Sequence, residues 1–216
     1  MKKLLLSFLV LVLAGVTPAG AVTIELQGVN YPTSIFAVAE FNYVPTSSGT
    51  GEIQISLTNT STVASSLTGF AFNTPAEVTD LGLFTGPAGW EAEYDPNGIG
   101  TPGQFGFFDL AALTGPNFNG GKTAPGIWTG GTALFNIGVT GVNLHLLNTD
   151  SFLSLFSDLA GKVGESQFFI ARYQAIGTEG GSDVAIPTTP VPEAGTFWIL
   201  GSGLLGLVFV RRKQLV

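Results

Sequence analysis

Apolar and polar residues alternate with a period of two along much of this chain. The clearest case is Glu52 to Thr58, where Ile53, Ile55 and Leu57 point one way and Glu52, Gln54, Ser56 and Thr58 the other. Such alternation predicts a half-buried β-strand. Val22 to Gln27 repeats it with Ile24 and Leu26. Ala133 to Thr140 repeats it with Phe135, Ile137 and Val139 facing inward. Ser34 to Val44, Leu67 to Asn73, Val78 to Phe84, Phe105 to Leu110 and Gln167 to Ile176 are apolar runs rich in aromatic or β-branched residues, and also read as strands. Gly- and Pro-rich stretches at Gly86 to Gly103 and Leu113 to Gly131 read as loops, and Gly177 to Pro190 reads as a linker.

Only one segment has helical spacing. Phe152, Leu153, Leu155, Phe156 and Leu159 form one apolar face, with Thr149 or Asp150 placed to cap its start and Gly161 to end it. Many short strands, frequent turn signals and one brief helix predict an all-β fold, an antiparallel β-sandwich. A β-helix is the structural alternative, but the chain shows no fixed repeat period.

Both ends break the period-two pattern. Lys2-Lys3, the apolar Leu4 to Val16 and Ala19-Gly20-Ala21 have the order of a secretory signal peptide, placing the mature start near Val22. At the other end, Val191-Pro192-Glu193 precedes an uncharged apolar run, Ala194 to Val210, followed by Arg211-Arg212-Lys213. As a helix that run would span roughly 25 Å, at the lower edge for crossing a hydrocarbon core of about 30 Å. Gly201, Ser202, Gly203 and Gly206 give it a small-residue face, and the basic triplet would hold its end in the cytoplasm. The order Pro-Glu, apolar helix, basic cluster resembles the PEP-CTERM sorting signal, with Ala194 where the family pattern has a second proline. The resemblance implies export, anchoring in the inner membrane, and transient recognition by an exosortase at Val191, Pro192 and Glu193. Release to the periplasm, cell surface or extracellular matrix would follow.

The organisation expected is therefore a signal peptide (1–21), a β-sandwich ectodomain (22–186), a linker with the Pro-Glu motif (187–193), a transmembrane helix (194–210) and a basic cytoplasmic tail (211–216). Leu67-Thr-Gly-Phe-Ala-Phe-Asn73, Asp150-Ser-Phe-Leu153 and Ala171-Arg-Tyr-Gln-Ala-Ile-Gly177 followed by Gly181-Ser-Asp183 are similar to segments of one group of PEP-CTERM proteins. That resemblance implies a cohesin-like sandwich and carries no chemistry with it.

Charge changes the picture once the ends are set aside. Of eight Lys and Arg, only Lys122, Lys162 and Arg172 fall within residues 22–190, against fourteen of the fifteen acids, a net of −11. Such a body repels nucleic acid and anionic polymers at long range. The chain has no cysteine, so disulfides, thiolate metal sites and cysteine nucleophiles are excluded.

The candidate chemistry is sparse. His145 is the only histidine and sits between apolar neighbours, and no G-x-S-x-G elbow is present. Glu91 and Glu93 share a face if extended, the spacing a pair of glycosidase carboxylates would need. Glu93, Asp95 and Asn97 followed by Gly98 approximate the opening of a calcium loop, though Asp-Pro-Asn-Gly is also an ordinary turn. Trp90, Tyr94 and Trp128 fall in Gly-rich loops, where aromatic rings can stack on sugars or plug the ends of a sandwich. Arg172, alternating with Ile170 and Gln174, reads as a paired structural cation.

No cofactor is expected. The expectation for function is a non-enzymatic structural or adhesive protein of the surface or matrix. The alternative is a glycan-binding module, with exopolysaccharide as its partner, using Trp90, Tyr94 and Trp128. A glycoside-active enzyme is the third.

Overall fold

A computed structural model describes residues 20–188, apart from 102–103, 119–120 and 161–162. It contains eleven strands: β1 (Val22–Gly28), β2 (Phe36–Pro45), β3 (Thr50–Asn59), β4 (Ser66–Phe72), β5 (Val78–Thr85), β6 (Glu91–Gly100), β7 (Phe107–Leu113), β8 (Ile127–Trp128), β9 (Thr132–Gly141), β10 (Phe169–Ile176) and β11 (Gly181–Pro187). One short helix, α1 (Thr149–Leu153), follows a 3₁₀ turn at Leu144–Leu146.

The strands form one continuous sheet in the order β5-β9-β3-β2-β1-β11-β10-β4-β7-β6, with β8 paired to β4. Every pairing between strands is antiparallel. The sheet curls until its two ends meet, and the Tyr94 hydroxyl of β6 donates to the Val78 carbonyl of β5 at 2.9 Å. The fold is thus all-β and antiparallel as the alternation predicts, but its sheet is a nearly closed barrel and not two separately bonded layers. Closure leaves little exposed strand edge.

The predicted inward residues are the core. Ile53, Ile55 and Leu57 are buried, as are Phe135, Ile137 and Val139 on the neighbouring β9. Phe70 and Phe72 of β4 stack on Phe169 of β10 at 5.8 and 6.1 Å, and Phe41 meets Phe72 edge-on at 5.1 Å. Buried Tyr43 and Tyr173 each satisfy their hydroxyl on a main-chain carbonyl, Leu144 at 3.0 Å and Phe36 at 2.7 Å. β4 is buried on both faces: Phe70 and Phe72 fill the barrel, while Ala71 meets a second apolar cluster with Phe108, Phe118 and Ile170 outside it.

Three expectations are corrected. The stretch read as a loop around Trp90 contains β6, and its Asp-Pro-Asn-Gly turn is a bulge inside that strand. The register shifts between Tyr94 and Ile99, and Gly98 takes a φ of 101°. The stretch read as a linker contains β11, which lies in the middle of the sheet between β1 and β10. The helix is shorter than its apolar face suggested. Asn148, not Thr149 or Asp150, caps it: its side chain accepts from the Ser151 amide at 3.0 Å while Ser151 Oγ accepts from the Asn148 amide at 3.1 Å. The helix stops at Leu153, and Phe156 is exposed in the irregular chain beyond it. Gly161 lies outside the described residues.

Candidate functional site

The residues marked out by the sequence do not gather into one site. Trp90 is 5 % exposed, donates its indole N–H to the Pro125 carbonyl at 2.7 Å, and packs on Phe135 and Phe70 at 4.8 and 6.2 Å. It is a plug for the barrel and not a surface for sugar. Tyr94 is half-buried with its hydroxyl spent on Val78, and only Trp128 is exposed. Glu91 and Glu93 both project into solvent from β6. Asp95 Oδ1 accepts from the Asn97 main-chain and side-chain N–H groups at 2.8 and 3.1 Å, a closed local turn. Among the described residues no three His, Cys, Asp or Glu side chains are placed to hold a metal ion. His145 is exposed in the 3₁₀ turn.

Arg172 is half-buried in β10 and does not form the carboxylate pair expected of it. Nη1 reaches the Asp183 main-chain carbonyl at 3.3 Å, and Nε has no partner. Burial lowers its pKa, against the pull of the nearby Asp183 charge. The Asp183 carboxylate is already taken. It accepts from the Asn30 amide (3.1 Å to each oxygen), Asn30 Nδ2 (2.9 Å), the Tyr31 amide (3.0 Å) and its own neighbour's amide, Val184 (2.8 Å). This buried acid ties β11 to the turn after β1.

A second aspartate lies in a different setting. A cleft of about 490 Å³ opens where the end of β4, the bulge of β6, the start of β7 and the chain after α1 converge. That volume is within the range of small-ligand pockets, about 300–1,000 Å³. Asp109 of β7 lines it. Its Oδ2 accepts from the Thr74 amide at 3.1 Å, with the Thr74 hydroxyl at 3.5 Å. Burial raises its pKa, the Thr74 bonds oppose that rise, and nearby Asp95 adds to it. The Asp109 amide donates to Asn73 Oδ1 at 3.0 Å. Asp158, Asn97 and exposed Phe156 complete the rim.

Sequence reasoning passed over Asp109, although a signal for it exists. It is the only charge in Phe105-Gly-Phe-Phe-Asp-Leu-Ala-Ala-Leu113, and a lone carboxylate in an apolar strand needs a reason to be there. Asn73 and Asp158 carried no such signal, because only the fold brings them to Asp109.

The cleft lies at the pole where both chain ends leave the barrel. β1 runs antiparallel to β11, with Leu26 opposite Pro187, so the start of β1 and the end of β11 share one end. Phe72, just before Asn73, pairs with Phe169 at the matching end of β10. No described helix is long and apolar enough to cross a membrane. The expected transmembrane helix at 194–210, the motif residues Val191, Pro192 and Glu193, and the basic tail Arg211, Arg212 and Lys213 lie outside the described residues, as do residues 1–19 of the expected signal peptide (1–21).

No curated protein and no solved structure matches the chain. A family model matches beyond β11. Residues 190–213 fit the family model of the PEP-CTERM protein-sorting motif, so the chain carries the sorting signal of an exported, exosortase-sorted protein, set directly behind the last strand of its barrel.

Proposed function

We propose that this protein is a non-enzymatic surface or matrix component whose barrel is delivered by an N-terminal signal. Residues 194–210 hold it at the inner membrane, and an exosortase processes it at Pro192-Glu193. The observation that carries the reading is the position of the motif. β11 ends at Pro187 and the motif begins at residue 190, so the chain between them reaches at most about 3.5 Å per residue. The anchored barrel is thereby kept within a few residues' length of the processing site. A charged Glu193 at the membrane boundary resists entry into hydrocarbon and fixes the depth of the helix. A structural or adhesive role is supported by a body that is nearly closed and acidic.

The test is the size of the protein in cells with and without exosortase, beside a Glu193→Ala variant. The reading expects a shorter species only where exosortase is present, and less of it in the variant. One identical full-length band in every strain would leave an ordinary tail anchor in place of a sorting signal.

A further inference from the structure

We infer that the cleft at Asp109 is a binding site for a neutral sugar. The inference rests on the reading of the barrel as an exported body but does not require processing by exosortase. Asn73 is 7 % exposed, yet only one of its two side-chain polar atoms is used inside the protein. The Asp109 amide can only donate, so the oxygen of Asn73 must face it, and Nδ2 is left as a donor without a protein partner. It is not among the buried atoms cut off from solvent, so it opens into the cleft that Asn73 lines. Beside it, Asp109 commits Oδ2 to Thr74 and leaves Oδ1 without a partner. The cleft therefore presents an open amide donor and an open carboxylate acceptor, linked through the Asp109 amide and fixed before any ligand arrives.

That pairing selects among ligands. A hydroxyl group accepts and donates at once, so one hydroxyl, or two neighbouring ones, satisfies both atoms. A metal ion or an amine would answer Asp109 and be opposed by the Asn73 N–H. An anion would answer Asn73 and be repelled by Asp95, Asp109 and Asp158. Desolvation of Asp109 strengthens a hydrogen bond it accepts. Phe156 adds the apolar part of the site. The residue is 58 % exposed and its ring is held edge-on by Phe168 at 6.0 Å and 81°, a platform for the C–H face of a pyranose. Polar groups in a cleft fix orientation and an aromatic face supplies area.

The experiment is isothermal titration of the full chain, solubilised in a zwitterionic detergent that carries no sugar. The titrants are neutral hexasaccharides of glucose, galactose and mannose, a galacturonate hexasaccharide, and calcium chloride alone. The wild type should bind at least one neutral hexasaccharide. Phe156→Ala should weaken it about tenfold, as should Asn73→Asp, which keeps the acceptor for the Asp109 amide and removes the donor. Both variants should still melt cooperatively, because Phe156 is exposed and the Asp109 amide keeps a side-chain acceptor at position 73, with Asn73→Asp melting at the lower temperature for its added charge beside Asp109. Neutral-sugar binding unchanged in both variants would place the site elsewhere and overturn the inference. So would tighter binding of galacturonate, binding of calcium with no sugar bound, or no binding at all. None of these outcomes bears on exosortase processing, which is read separately from protein size.

Discussion

Asp183 and Asp109 both sit in strands of the same sheet, and their surroundings differ in burial and in how many of their oxygens are satisfied. Asp183 is buried and its two oxygens are filled by amide and side-chain N–H groups from Asn30, Tyr31 and Val184. Asp109 is half-buried, with one oxygen held by Thr74 and the other open to a cleft. A carboxylate with every lone pair answered holds a fold together. One that is oriented and left half-answered is available to something else. The more buried of the two is the one whose oxygens are all satisfied.

The strongest way to break this contrast is to remove β11. A chain ending after Gly180 leaves β1 and β10 as facing unpaired edges in the middle of the sheet and takes Asp183 with it. It should show no cooperative melting transition by circular dichroism. A transition like that of the wild type would mean that β11 only decorates the barrel.

Asp183→Ala should have the next largest effect. It leaves the Asn30, Tyr31 and Val184 amides without their acceptor, at roughly 1 kcal/mol each. A loss of about 3 kcal/mol corresponds to a fall in melting temperature of roughly 10 °C for a domain of this size. A change under about 2 °C would show that water replaces the carboxylate without cost.

Asp109→Asn should have the smallest effect on stability and the most specific one. Burial raises the folded-state pKa of Asp109 above its unfolded value, so the native state binds the proton more tightly. Its contribution is present below the ordinary carboxylate pKa and is lost as pH rises through the raised folded value. Subtracting the asparagine variant's melting curve from the wild type's between pH 3.5 and pH 7 should reveal that loss. A flat difference would mean that Asp109 is not desolvated.

Much of this fold was legible in the sequence wherever burial was one-sided. Ile53, Ile55 and Leu57 alternate because one face of β3 meets the core, and the barrel places them there. The failures occur where neighbours override composition. β11 reads as linker because Gly181, Ser182 and Pro187 carry little strand signal, and its partner β1 is distant in sequence. β6 reads as loop because a true turn sequence is carried within it as a bulge. Closure of the sheet depends on contacts such as Tyr94 with Val78, which no local pattern encodes. The aromatic candidates failed for a related reason. Trp90 has the composition of a loop residue and the position of a core one, whereas Phe156 was assigned to a helix face and stands in the open. The donor–acceptor pair of Asn73 and Asp109 is separated by 36 positions and is visible only once β4 and β7 are paired.

Amide hydrogen exchange, followed peptide by peptide, tests the two settings together. Residues 181–187 should exchange far more slowly than an unstructured linker, because β11 pairs with β10 from Gly181 to Ala185 and with β1 from Ala185 to Pro187. Residues 95–98, in the bulge beside the cleft, should exchange far faster. Exchange of 181–187 at the rate of an unstructured linker would contradict the central place of β11, and with it the fixed role of Asp183.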